Sequence, residues 1–317
     1  MTIDTAAAKF KKNETMKRVI SALILGLSAV MMSAQITDVQ RKDQKARQYD
    51  PVFFEITLTG NWDNPFLQED AALDMLLTSP SGKELILPCF FKSGESGSAS
   101  TWEARFTPQE KGTYSYVFRY KEDGKTASET AEATFKAAKG KGKGILHTAD
   151  NSTLVYDNGE PFRGVGINLC WESRTNDDSK FFKALHEEHE RFSYDVMLPD
   201  FAANGGNFTR MWMCSWNFPI DRKDRFNNHR YTATSEYMNP SAVEHLDEVI
   251  ALAEDLDIKI MLCMGQGDVR ADRGFFNDED AKVRYRNYLR YIVARWGYSP
   301  AIGMWEFFNE IDNVQHR

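Results

Sequence analysis

The sequence predicts two folds in series: an all-β sandwich, then strand–helix units that build a parallel sheet. Three observations predict this. Short apolar or alternating runs recur about every ten residues from Gln35 to Ala138, separated by turn clusters. A Lys139-Gly-Lys-Gly-Lys-Gly144 run then interrupts the pattern and reads as a flexible, charged junction. Beyond it, continuous apolar strands alternate with amphipathic helices, the pattern of a parallel sheet buried on both faces.

The first segment is not part of either fold. Met16-Lys-Arg opens a short apolar run, Val19 to Met32, which closes on Ser33-Ala34. A basic start, a short apolar stretch and small residues at its end describe a secretory signal peptide, with cleavage expected after Ala34. The run is short for a membrane-spanning helix. No Cys follows it, so a lipoprotein anchor is not indicated. The polar residues before Met16 make Met16 an alternative start.

In the sandwich region, Val52 to Leu58 partly alternates, and Leu73–Leu77 and Glu84–Phe91 flank the turn cluster Ser79-Pro-Ser-Gly82. Trp102–Phe106 alternates, Tyr114–Tyr120 follows Gly112, and Thr126–Phe135 reads as a last strand. After the junction, Leu154 to Phe162 is a hairpin turning at Asp157-Asn-Gly159. Phe162–Leu169 is then the first parallel strand. Tyr194–Asn204 is helical and stops at Gly205-Gly206. Asn207–Met213 is the second strand.

Ser241-Ala-Val-Glu244 reads as a capping box, preceded by Pro240. The helix it opens carries Val243, Leu246, Val249, Ile250, Ala253 and Leu256 on one face. Ile258–Met264 is the third strand. Asp278 caps a helix through Trp296, which Gly297 and Pro300 stop, and Ile302–Phe308 is the fourth strand. The spacing of these strands suits a βα-barrel with long loops, and a closed barrel takes eight strands. The expected fold is therefore a sandwich followed by the first half of a barrel, in an N-terminal fragment.

Composition narrows the function classes. The chain has 317 residues and a net charge of −7, so no basic face is expected to meet nucleic acid. Aromatic residues make up 13%, which fits either a sugar-binding cleft or large cores. Cys89, Cys170, Cys214 and Cys263 form no C-x-x-C pair and are expected to be mostly free, buried thiols. His186 and His189 fall in an acidic, solvated-looking helix, so neither a metal nor a cofactor is expected.

The chemistry concentrates at the fourth strand. Trp305-Glu-Phe-Phe-Asn-Glu310 closes it, after Ala294-Arg-Trp-Gly-Tyr-Ser-Pro-Ala-Ile-Gly-Met. The run Tyr291–Ile311 resembles the fourth-strand region of clan A glycoside hydrolases, the cellulase-like clan. Gly205-Gly-Asn-Phe-Thr-Arg-Met-Trp212 resembles the second strand of its members. Asn64-Pro-Phe66, Trp102-Glu-Ala-Arg-Phe-Thr-Pro108 and Gly112-Thr-Tyr-Ser-Tyr116 resemble the Ig-like sandwich that often precedes such barrels.

The resemblance implies an all-β Ig-like sandwich followed by the first half of a (β/α)8 TIM barrel. It implies Glu310 as the general acid/base and Asn309 as a hydrogen-bond partner of the sugar 2-hydroxyl. It also implies that Arg210 orients the nucleophile and holds it ionised, while the nucleophile itself is missing from this chain. Trp171, Trp212 and Trp216, at or just after predicted strand ends, are substrate-stacking platforms or core packing. Glu306 is expected to be structural, and Gln266 stays outside the expected site.

The expected organisation is an extension and signal peptide at 1–34, a sandwich at 35–138, a linker at 139–151 and a truncated barrel at 152–317. The expected partner is a polysaccharide or oligosaccharide, with no membrane contact after signal cleavage and a secreted or periplasmic location. The competing reading is a non-catalytic carbohydrate-binding or structural module.

Overall fold

A computed structural model describes residues 34–43, 45–172, 193–214, 217–223, 232–233, 238–265 and 278–311. The signal segment up to Ser33, His186, His189, Trp216 and Gln266 lie outside the described residues. The structure is mostly β-sheet with few helices. No helix among the described residues is long and apolar enough to cross a membrane.

Nine strands come first: β1 (Gln35–Arg41), β2 (Val52–Thr59), β3 (Ala71–Thr78), β4 (Glu84–Pro88), β5 (Phe90–Ser93), β6 (Ala99–Phe106), β7 (Gly112–Glu122), β8 (Lys125–Glu129) and β9 (Ala133–Ala137). One sheet runs β1-β2-β6-β5, the other β4-β3-β7-β8 with β9 also on β7. Alternation decides which side chains turn inward. Val52, Phe54, Ile56 and Leu58 of β2 meet Leu73, Met75, Leu77, Phe118 and Tyr120 of the other sheet in one core.

Three sequence expectations change here. Glu84–Phe91 is two strands, not one. Cys89 gives its N–H to Leu73, and the chain then crosses to the other sheet, so β4 pairs β3 while β5 pairs β6. Thr126–Phe135 is also interrupted: β8 and β9 both pair β7, and between them Thr130 exchanges hydrogen bonds with the Phe118 backbone. β1 is an added edge strand on β2.

The Lys139–Gly144 run is not free chain. A Cβ on Gly140 would stand 1.6 Å from the carbonyl oxygen of Gln48, and one on Gly142 3.1 Å from Cβ of Tyr49. Lys143 donates to Asp257 at 2.5 Å. The glycines let this strand of backbone lie directly on the sandwich, which composition alone cannot reveal. Gly140→Ala is expected to destabilise the protein by about 2 kcal/mol, because a backbone clash has no cheap relief. A thermal melt of the variant coinciding with wild type would show that the run moves freely.

β10 (Leu146–Thr148), β11 (Leu154–Tyr156) and β12 (Pro161–Phe162) make a small meander, with the expected turn closed by the Gly159 N–H on the Tyr156 carbonyl. β13 (Gly166–Ile167) is shorter than the strand expected over Phe162–Leu169. The remaining described elements are α1 (Tyr194–Ala203), β14 (Phe208–Trp212), the antiparallel pair β15 (Arg222–Lys223) and β16 (Thr232–Ala233), α2 (Pro240–Asp255), β17 (Lys259–Cys263), α3 (Glu279–Trp296) and β18 (Ile302–Glu306). β13, β14, β17 and β18 form one parallel sheet in sequential order.

The expected apolar face of α2 is buried, from Val243 to Ala253, against Ile260 and Leu262 of β17. Its cap is Asn239 rather than Ser241: the Asn239 side chain accepts from the Ala242 N–H, and Pro240 fills the first helical position, where no N–H is needed. Asp278 caps α3 as expected.

The sandwich packs on α3. Phe90 of β5 joins the core beneath the parallel sheet, with its ring 5.8 Å from that of Tyr291. Arg290 donates to Asp74 at 2.5 Å and to the Leu73 carbonyl at 3.0 Å. Gln68 gives its N–H to Asn287 at 2.7 Å, and Thr107 its hydroxyl to the Tyr298 carbonyl at 2.6 Å.

Candidate active site

Parallel register brings the site together. Trp212 of β14 pairs with Cys263 of β17, which pairs with Glu306 of β18, so these residues stand at one level. Period-two alternation puts Arg210 on the same face as Trp212, two residues deeper. Its side chain rises to that level. There its Nε donates to Glu306 Oε2 at 2.6 Å, and its Nη2 to Glu306 Oε1 at 2.5 Å and to Asn309 Oδ1 at 2.8 Å. The Glu306 carboxylate raises the Arg210 pKa above its ordinary value, since the pair stabilises the cation. The guanidinium lies 5.0 Å from the Trp212 ring centroid, and Trp212 meets Trp171 edge-on at 4.9 Å.

The chain beyond β18 is tied down. Met264 gives its N–H to the Glu306 carbonyl, and Asn309 its N–H to that of Gly265. A Cβ at Gly265 would stand 2.6 Å from the Phe307 carbonyl oxygen, so the close approach of the two strand exits requires glycine there. Asn309 is buried, whereas Glu310 is exposed and adopts a left-handed φ of 52°. That conformation costs an L-residue roughly 1–2 kcal/mol. It does not by itself mark a catalytic residue, since Asp123 in a hairpin turn and Asp257 after a helix share it.

Of the residues expected from sequence, Arg210, Trp212, Trp171 and Asn309 therefore cluster, and Glu310 follows Asn309 in the chain. Trp216 falls outside the described residues. Glu306, expected to be structural, is the direct ionic partner of Arg210. Sequence reasoning also passed over Glu172 and Asn217. Glu172 is 3% exposed; it accepts the first N–H of α1, from Tyr194, at 2.7 Å and pairs with His245 of α2 at 2.7 Å. Its signal was its position, just past the end of a parallel strand.

Asn217 is fully buried, and the two N–H groups of its Nδ2 serve the Trp212 carbonyl at 2.8 Å and, in a shared bond, the Tyr194 hydroxyl at 3.2 Å and the Cys170 carbonyl at 3.3 Å. It joins the ends of β13 and β14 to α1. Asn217→Ala is expected to cost about 1–2 kcal/mol, since carbonyl groups at the strand ends lose a donor. Urea unfolding midpoints equal to wild type would remove it from this role.

The four cysteines are free. Burial pushes the Cys263 thiol up to about 11, and it donates to the Gly265 carbonyl at 3.1 Å. Among the described residues no group of acidic, His or Cys side chains is arranged to hold a metal ion.

A family profile described as "Domain of unknown function (DUF5060)" matches residues 45–121, within the sandwich. No curated protein matches the sequence. The structure of a "putative glycoside hydrolase" from Bacteroides vulgatus is similar over 86% of this chain and 50% of that one, with a TM-score of 0.59 and 17% identity. A β-1,4-D-mannanase from Cryptopygus antarcticus matches over 53% of this chain and 45% of its own, with a TM-score of 0.37 and 19% identity. A β-glucuronidase from Parabacteroides merdae matches over 88% and 29%, with a TM-score of 0.31 and 12% identity. The fold is thus glycoside hydrolase-like, and the chain spans about half the length of the Bacteroides vulgatus structure it matches.

Proposed function

We propose that this chain is the N-terminal part of a secreted, retaining glycoside hydrolase of the cellulase-like clan that cleaves O-glycosidic bonds of a polysaccharide. In this reading residues 35–138 are an Ig-like sandwich and residues 152–317 are the first half of a (β/α)8 barrel. The sequential order β13-β14-β17-β18, all parallel, supports the barrel, because successive strands of a barrel are neighbours. Glu310 is the general acid/base, and the nucleophile comes from a segment beyond residue 317.

The observation that carries the reading is the convergence of Arg210 and Asn309, next to Glu310, at the C-terminal ends of β14 and β18. Barrel enzymes assemble their chemistry at that end. A retaining hydrolase needs one carboxylic acid to protonate the leaving oxygen and one carboxylate about 5–5.5 Å away to attack. Trp171 and Trp212 supply half-buried apolar rings beside them, suited to stacking on a sugar face.

The test is the product of the longer reading frame, assayed for reducing ends released from plant and microbial polysaccharides. Hydrolysis that requires Glu310 and one further carboxylate sustains the reading. Glycan binding without hydrolysis by the complete protein favours a carbohydrate-binding module instead.

A further inference from the structure

We propose that Glu306 is a positioning residue that, through Arg210, fixes which way the Asn309 amide faces; this rests on the glycosidase reading of the site. The Arg210 guanidinium engages both oxygens of Glu306 through Nε and Nη2, a two-pronged pairing that sets its plane as well as its place. Neither partner is freely solvated, with side-chain exposures of 16% and 23%. The same Nη2 then donates to Asn309 at 2.8 Å. A guanidinium has donors and no acceptor. The Asn309 atom that meets it must therefore be the carbonyl oxygen, because a flipped amide would set N–H against N–H. With Oδ1 committed to Arg210, Nδ2 lies on the other side of the amide carbon.

Without Glu306, Arg210 keeps its charge but loses the two-pronged partner that sets its plane, and with it the aim of its Nη2 bond to Asn309 Oδ1. The backbone bond from Asn309 to Gly265 holds the main chain in either case, so the effect is confined to the side chain.

The test uses this chain labelled with nitrogen-15, with Asn309 side-chain signals assigned through Asn309→Asp and the Arg210 Nε–H signal through Arg210→Lys. In the wild type one pair of Asn309 carboxamide N–H signals and a slowly exchanging Arg210 Nε–H are expected. In Glu306→Gln the Arg210 Nε–H should exchange about 10-fold faster or more, and the Asn309 carboxamide should shift or split. Glu129→Gln, which removes the exposed Arg119–Glu129 pair, should leave both signals in place.

An Asn309 carboxamide unchanged in Glu306→Gln overturns the proposal even if that variant melts earlier, since a merely structural Glu306 would alter stability alone. If Glu306→Gln does not fold, the wild-type protein decides: rapid exchange at Arg210 Nε–H overturns the proposal, and slow exchange with one pair of Asn309 carboxamide signals supports it. None of these readouts requires activity, so an inactive full-length protein would sink the glycosidase reading and leave this result standing.

Discussion

In the proposed full-length hydrolase, Glu310→Gln is expected to slow hydrolysis of unactivated glycosides about 10²–10⁴-fold, the range lost when a general acid is removed. The amide cannot deliver a proton to the leaving oxygen. Its shape is nearly that of the acid, so substrate binding should change little. The loss should then appear in kcat rather than KM, as for an interaction made only in the transition state. Aryl glycosides with good leaving groups need little protonation and should lose far less in the first step. Equal losses on both substrate types would make Glu310 a binding residue, and full activity of the variant would exclude it from the site.

Asp247→Ala is expected to destabilise the protein by about 3 kcal/mol, the scale of removing one partner from a largely buried ion pair. Asp247 of α2 accepts from Arg295 at 2.5 Å, from the Trp296 indole at 2.7 Å and from Arg105 of the sandwich at 3.4 Å. Arg105 and Arg295 are each 13% exposed at the side chain and both lie over the Phe90 ring, at 5.0 and 4.8 Å from its centroid. Truncating Asp247 leaves two enclosed guanidinium groups without their shared anion. Urea unfolding should show the loss, and pairing the change with Arg105→Ala should give a smaller loss than the sum of the singles. Additive effects would mean that sandwich and helices are not coupled through this carboxylate.

That carboxylate also shows where reading the sequence alone falls short. Val243, Leu246, Val249 and Ile250 announce the buried face of α2 by their spacing, but Asp247 on the same helix looks like any exposed acid. Its partners come from β6 and α3, far away in sequence, and no local pattern encodes them. The cap of α2 is hidden from the sequence for a related reason. Asn239 and Ser241 are both good capping residues, and only the path of the chain into Pro240 chooses between them. The Lys-Gly run reads as flexible because glycine permits flexibility. In the folded chain glycine serves close approach instead.

The active-site candidates divide in the same way. Sequence alone determined that Asn309 and Glu310 follow an apolar strand, that Arg210 and Trp212 lie on one face of another, and that strands and helices alternate after the sandwich. These are local properties: alternation, helical spacing and turn chemistry act over a few residues and are written in the order of side chains. Only the tertiary structure decided that Glu306 is the partner of Arg210, that Arg210 reaches Asn309, and that Glu172 and Asn217 tie strand ends to α1 and α2. Those contacts span 5 to 99 positions along the chain. They depend on the register of parallel strands, where a shift of one residue would turn Arg210 and Glu306 to opposite faces of the sheet.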